Sequence, residues 1–478
     1  MVDRSSYKSL DELLHAQSDI VQYFRNETVA PHSGQRSELT PDPDEFSNWM
    51  DEQRAWRETA ILFDQTHHMP EMFIDGPGAF NLLNGIGVNS FKNFTPGKAK
   101  QFIACSPEGN MIGDCILFYL ENDRFELVSG MTVHDWVEFH AVTGNHDVSI
   151  TRDLPSSMNR NGRTNFRFGM DGPNAEKVFR DVVEGEAPDV PFFHMAKVRI
   201  AGVEVRALRH GMAGHKGVEL FGPFADYARV RSAILEAGRK HGLRPGGRLA
   251  YFSASVESGW MAYPLPGVYT GEGTKAFREW LGPDSWEAHS VLAGSFVSKD
   301  IEKYYTRPWE LGLGRFIKFD HDFIGREALE ALDPEKERVR VTLAWHADDF
   351  ARIMGSLSAP ELPYKLIRLP LAAYGFPQAD TLMNAAGKCI GIGKHSAFSA
   401  NEAKMLTLAM IDSDYAEPGT EVTLVWGEPD GGSNKPRVER HRQTEVRVTV
   451  GPVPYAKYAR TMKYAALNTS KAHRSSSE

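Results

Sequence analysis

"TRPWELGLGRFIKFDHDFIGREAL", residues 306–329, divides this chain. Thr306, Pro308, Glu310, Gly312 and Gly314 open it; Lys318, Asp320, Asp322 and the run Phe323-Ile324-Gly325-Arg326 close it. The texture differs on its two sides. After it, "ERVRVTLAW", "GTEVTLVWGE" and "TEVRVTV" alternate like half-buried strands. Turn-rich stretches separate them, so a mostly β domain is expected over 334–457, with "LDPEKE" as the junction and 458–478 as a polar tail.

Before it, strands and helices mix. "MFIDGPGAFNLLNGI" reads as strand, turn, helix, with Pro77 in the first turn, where a missing N–H does no harm. "FRFGMDGPNAEKVF" repeats the pattern: Asp171, Gly172, Pro173 and Ala175 echo Asp75, Gly76, Pro77 and Ala79. Either the body has two related halves, or a common strand-to-helix turn is used twice. "VEVRALRHGMAGHKGVELFGP" reads as two strands around a Gly-rich connection. In the helix that follows, Tyr227, Val230, Ile234 and Gly238 share helical spacing and Gly242 ends it. This α+β body is expected over 45–333. Residues 1–44 read as an N-terminal extension.

The 478 residues are 24% charged and 41% hydrophobic, an ordinary globular balance with length for two to four domains. A net charge of −9 argues against nucleic acid, whose phosphates call for a basic surface. Cys105, Cys115 and Cys389 cannot all pair within the chain and form no CxxC, so free thiols in a cytoplasm are expected. The N-terminus does not read as a signal peptide, and no apolar run is long enough for a membrane span.

The candidate residues are weak one by one. "FDQTHHM", 63–69, sets an amide and two adjacent histidines in an apolar setting. On a strand His67 and His68 would face opposite sides, and no companion ligand cluster exists, so no metal is expected. Gly211, Gly214 and Gly217 link two strands and do not make the dinucleotide fingerprint. Glu219 on a strand could face water. Asp114 suits a strand end. Tyr251 and Trp260, around "FSASVESG", could be core aromatics.

Together and in this order, the segments resemble the aminomethyltransferase superfamily, the folate-binding T-protein fold of the glycine cleavage system. The 306–329 stretch is similar to its hallmark, and "GKCIGIGKHSAFSANEAKMLTLAMI" resembles its C-terminal barrel. Within it, "EFSNW", "FDQTHHM", "LRHGMAG", "ESGW", "GSFVS" and "IKFDHDFIGR" look like the tetrahydrofolate-dependent aryl O-demethylases, among them vanillate and syringate demethylases and the dicamba methyltransferase.

The resemblance implies a three-lobed α+β folate-binding fold with a C-terminal β-barrel. It implies transfer of an aryl ether's methyl group to N5 of tetrahydrofolate, leaving a phenol and 5-methyltetrahydrofolate. It implies folate-binding places for Glu219 at the pterin edge, Gln65, and Trp260 against the aminobenzoate ring. It implies catalytic places for Tyr251 at the methyl-transfer point and His68 near the donor. Asp114 matches the second of the family's paired acids, Gly113 replacing the first.

Two departures bear on the donor. Ser37, Glu38, Leu39 and Thr40 stand where vanillate-type enzymes carry Tyr-x-Tyr-Pro. Gly130 stands where they carry a carboxylate-binding arginine. A chlorinated methoxybenzoate such as dicamba is therefore the expected donor, its carboxylate held by other groups. The rival readings are a sulfonium or methylamine donor, and a non-catalytic folate binder.

Overall fold

The structure is a computed structural model that describes residues 4–27, 43–159, 161–212, 217–261, 264–375, 377–435 and 438–460. Ser37–Thr40, Gly214 and the tail from 461 lie outside the described residues.

Two sheets form the body. One, ordered β3-β4-β5-β2-β6, uses β2 (Glu71–Asp75), β3 (Lys98–Cys105), β4 (Met111–Glu121), β5 (Arg124–Val128) and β6 (Ser149–Asp153). The other is six-stranded, ordered β11-β1-β7-β10-β9-β8. It uses β1 (Ala60–Asp64), β7 (Asn165–Asp171), β8 (Met195–Ile200), β9 (Val203–Arg209), β10 (Val218–Pro223) and β11 (Leu243–Gly246). From β2 to β6 the chain runs strand, helix Ala79–Ile86, three strands, helix Met131–Thr143, strand. From β7 to β11 it does so again, with helices Ala175–Val182 and Tyr227–Gly238, and β1 slots between β7 and β11. The Asp-Gly-Pro echo thus marks a duplicated topology. Its glycines are required: Gly76 has φ 135° and Gly172 φ 112°. A Cβ at Gly76 would run into the Asp147 carbonyl, and one at Gly172 would lie 2.7 Å from that of Thr59.

Each sheet buries one face against its own helices. The other faces meet, with Phe118 of β4 edge-on to Phe221 of β10 at 5.4 Å. Residues 4–27, expected in the N-terminal extension, contribute Leu10, Leu13, Val21 and Phe24 to the first core. Asp11 is bound by Arg278 at 2.9 Å.

Past the body, β12 (Val339–Trp345), β13 (Asp380–Met383), β14 (Cys389–Ser399), β15 (Lys404–Ile411), β16 (Glu421–Trp426) and β17 (Thr444–Gly451) close into a barrel. Val341, Leu343, Leu424, Trp426 and Val448 belong to its core. The 306–329 segment contains no strand and wedges body to barrel. Leu311, Ile317, Phe323 and Leu329 pack with Ile103 and Met111 on one side and Leu406, Leu408 and Met410 on the other. Its backbone joins the body through Met111 N to Thr306 O, 2.8 Å, and Lys318 N to Val88 O, 2.9 Å. Arg338, leading into β12, hydrogen-bonds Glu310.

Candidate active site

"FDQTHHM" is not a continuous strand. β1 ends at Asp64 and residues 65–68 turn, with Thr66 N donating to Asp64 Oδ1 (3.0 Å) and Met69 N to Gln65 O (3.2 Å). The carboxylate of Asp64 competes for the backbone there and breaks the ladder. The two imidazoles diverge all the same. His67 Nδ1 lies 2.8 Å from Ser156 Oγ, whereas His68 meets the rings of Tyr251 at 4.9 Å and Phe252 at 5.8 Å. Among the described residues no group of three His, Cys, Asp or Glu side chains is placed to hold a metal ion.

Tyr251 stands on the helix Arg248–Ser253, over the end of β1. Glu52 sets that helix's start: its Oε2 accepts from Gly247 N at 2.8 Å and its Oε1 from Phe46 N at 2.8 Å. Gln53 Nε2 bonds Ser253 Oγ at 2.7 Å. These anchors bring the Tyr251 hydroxyl to 3.4 Å from Gln65 Nε2, with Phe63 edge-on to the ring at 5.1 Å.

From Gln65 the site continues across the sheet. Gly169 is the register partner of both Phe63 and Glu219. A Cβ on Gly169 would stand 3.2 Å from the Gln65 amide, so the strand is bare where the amide lies over it. Gln65 Oε1 is buried without a hydrogen-bond partner among the described residues, and so is Asp171 Oδ1, two residues along the same strand face. Asp171 Oδ2 accepts from Met212 N at 3.2 Å, and burial pushes its carboxyl up to about 6.

Glu219 does not face water. It is buried and hydrogen-bonded to Arg167 Nη1, with Oε2 3.7 Å from His210 Nδ1. Arg167 also reaches the facing sheet, donating from Nε to Glu71 at 3.1 Å and from Nη2 to Glu126. The three carboxylates are not equivalent. Burial works against charge on Glu219, but Arg167 and His210 outweigh it and hold that carboxyl below the usual range. On Glu126 burial dominates; with the like charges of Glu71 and Glu219 it pushes the carboxyl up to about 8 against the pull of Arg167.

Asp114 lies on β4, on the same strand face as Phe118, and so looks toward the Glu219 sheet. Gln101 Nε2 and the Trp260 indole hydrogen-bond it, and burial still pushes it up to about 6. Arg340 of the barrel adds a nearby positive charge. Gly130 is at the same place, with φ 74° and room for a Cβ only 3.0 Å from the Asp114 carbonyl. Trp260 is 41% exposed, so its ring is open to a partner. Gln65, His68, Tyr251 and Glu219 thus form one group, linked through Gln65 and Gly169, and Asp114 with Trp260 a second. The short helices from Arg248 to Ser258 join the two.

Residues 16–265 match the family profile described as the GCVT N-terminal domain. The chain belongs to the GCVT family. It is 46% identical to a syringate O-demethylase from Sphingobium, over 97% of this chain and 100% of that one. It is 29% identical to a sesamin methylene transferase from Sinomonas, over 86% and 90%. It is 28% identical to an aminomethyltransferase from Halalkalibacterium halodurans, over 80% and 87%. The crystal structure of the aminomethyltransferase T of the glycine cleavage system from Bartonella henselae superposes with a TM-score of 0.60 at 18% identity, covering 91% of this chain and 96% of that one. The GCVT fold expected from the sequence is the fold observed, barrel included.

Four residues of this GCVT site were not singled out from the sequence: Gly169, Arg167, Gln101 and Arg340. Arg167 had a signal, a charge in "FRFGM" where strand alternation faces it away from Phe166 and Phe168. Gly169 and Gln101 carry none, because their meaning depends on strands paired with them. Arg340 reads as one more charge on a half-buried strand.

Proposed function

We propose that this GCVT-family chain is a tetrahydrofolate-dependent O-demethylase. It moves the methyl group of an aromatic methyl ether to N5 of tetrahydrofolate and releases a phenol and 5-methyltetrahydrofolate. The methyl carbon's bond to oxygen breaks and its bond to nitrogen forms. The proton lost at nitrogen balances the one gained by the phenoxide. The observation that carries the reading is the convergence of Gln65, His68 and Tyr251 at one point, with Glu219 next across Gly169.

The residues suit the folate. A pterin edge is rich in N–H donors. Gln65 Oε1 and Asp171 Oδ1 are buried acceptors short of a donor, Glu219 is held ionised, and Gly169 leaves the strand between them bare. We assign Gln65 and Glu219 to the pterin and the open face of Trp260 to the aminobenzoate ring. Bound tetrahydrofolate supplies N5 as the methyl acceptor.

Tyr251 is assigned to the ether oxygen. Gln65 Nε2 donates to the Tyr251 oxygen, so the phenol's own proton is not used on Gln65. A hydroxyl aimed at the ether oxygen stabilises charge that grows only as the C–O bond breaks. His68, edge-on to Tyr251 and tilted against Phe252, is assigned to the wall of the donor pocket. The 46% identity to a syringate O-demethylase favours an aryl ether over a sulfonium or methylamine. Asp114, beside Trp260, is assigned a supporting electrostatic role in its ionised form.

The donor is a methoxybenzoate. Syringate comes first because of the Sphingobium relative; a chlorinated ring such as dicamba is retained because Gly130 provides no carboxylate clamp. The cysteines, free in the structure, suit a reducing cytoplasm, and no helix among the described residues is long and apolar enough to cross a membrane. We take 45–333 as the folate-binding unit and 334–457 as the barrel unit. The test is product analysis with a methoxybenzoate panel, with and without tetrahydrofolate, in EDTA. Phenol and 5-methyltetrahydrofolate should appear in equal amounts only with folate, and chelator should not matter. Phenol formed without folate would overturn the reading.

A further inference from the structure

Arg340 is held between body and barrel, and no carboxylate among the described residues bonds it. It sits on β12 opposite Met410 of β15, on the strand face shared with Thr342 and Ala344. Ala344 and Met410 belong to the layer packed on the 306–329 segment, whereas Val341 and Leu343 belong to the barrel core. Arg340 therefore leaves the barrel on the side of the body. Gly312 presses against it: a Cβ there would stand 2.7 Å from Nη2 and 3.0 Å from Cζ. Gly312 has φ 69°, and a side chain at this position would displace the guanidinium.

Among the described residues the Arg340 side chain makes no hydrogen bond and no ion pair. Its charged surroundings are Arg315, which repels it, and Asp114, too far to bond it. Burial and Arg315 lower its pKa to about 10, which leaves it charged at neutral pH. Arg340 thus feels a second guanidinium and one carboxylate, whose own proton affinity is raised. A half-buried arginine with no described carboxylate bonded to it is open to an anionic ligand.

We propose that Arg340, assisted by Arg315, is the docking point for a ligand carboxylate beside Asp114 and Trp260. The proposal rests on the O-demethylase reading. Two carboxylates are then available: that of the methoxybenzoate and those of the folate's glutamyl tail. Arg offers a planar fork of donors matched to either.

The experiment is calorimetric binding to the full chain and to Arg340→Gln, with two ligand pairs. One pair is tetrahydrofolate and tetrahydropteroylamide, whose primary amide replaces the glutamate and leaves no carboxylate. The other is syringate and its amide, titrated without folate so that no methyl group is transferred. Arg340→Gln should weaken one carboxylate-bearing member by about 10–100-fold and leave its uncharged partner within about two-fold. The pair that shows the gap names the carboxylate. Arg340→Lys should recover part of the loss by keeping the charge. Equal losses within both pairs, or none in any ligand, overturn the proposal. If Arg340→Gln fails to fold, Arg315→Gln should show the same selectivity at smaller size, and its absence is equally fatal. Folate binding reports on Arg340 even if no ether is demethylated, so the two readings fail separately.

Discussion

Arg167 of β7 bonds Glu219 on the neighbouring strand and, with its other nitrogens, Glu71 and Glu126 on the opposite sheet. One guanidinium thus orients the acceptor assigned to the pterin and ties the two halves of the body together. Removing Glu219 should separate the two roles, because Arg167 keeps two carboxylates. Glu219→Ala is expected to lose about 2–5 kcal/mol of folate affinity, since pterin N–H groups would be buried unpaired. Calorimetry on a variant that unfolds cooperatively reads this directly. Unchanged affinity would reduce Glu219 to a partner of Arg167.

Glu126 should make stability pH-dependent. Its folded carboxyl titrates near 8 rather than the usual 4.5, so between those values the native state holds a proton that the unfolded chain releases. Its contribution is full below 4.5 and is lost as pH rises through 8. Glu126→Gln, neutral throughout, should match the parent near pH 5 and gain in relative unfolding temperature up to pH 8, then level off. Thermal unfolding across pH 5–9 tests the sign.

Gly169 should be intolerant for the ligand's sake. A Cβ would already crowd the Gln65 amide at 3.2 Å, and valine adds two methyl groups on the same face. Gly169→Val is expected to cost about 1–3 kcal/mol in stability and to weaken folate binding at least about ten-fold. Full folate affinity in that variant would place the pterin elsewhere.

Tyr251→Phe keeps the ring contacts with Phe63 and His68 and deletes only the hydroxyl. Turnover should fall about 10²–10³-fold with folate affinity nearly unchanged, as for a lost donor to developing negative charge. Single-turnover kinetics separate this from packing. A chemical step within a few-fold of the parent would leave Tyr251 as a wall of the pocket.

Gly130 should not accept the arginine of the vanillate-type enzymes. Its φ of 74° disfavours any side chain, and a Cβ would meet the Asp114 carbonyl at 3.0 Å. Gly130→Arg is expected to destabilise by about 1–2 kcal/mol and not to raise activity on vanillate. In competition assays on the parent chain, syringate or a chlorinated 2-methoxybenzoate should outrun vanillate. Vanillate as the best donor would remove the argument from Gly130.

Much of this was legible in the chain. The 306–329 segment identified the fold because its glycines and charges serve a fixed wedge: Gly325 has φ 87° and no room for a side chain beneath the Ser106 carbonyl, and Glu310 bonds Arg338. The Asp-Gly-Pro echo recorded a duplicated topology, since only glycine turns so tightly against a neighbouring backbone. Strand alternation located the barrel strands, because period two follows from the pleat alone.

Only the tertiary structure decided what the polar residues do. Glu219 looked exposed in one strand and is buried because a second sheet covers it. His67 and His68 part company in a turn set by Asp64, not across a strand. Gly169, Gln101, Arg167 and Arg340 gain meaning from residues up to hundreds of positions away. A sequence states which groups a strand carries and on which side; which charge faces which, and which is left without a partner, depends on contacts that only the folded chain makes.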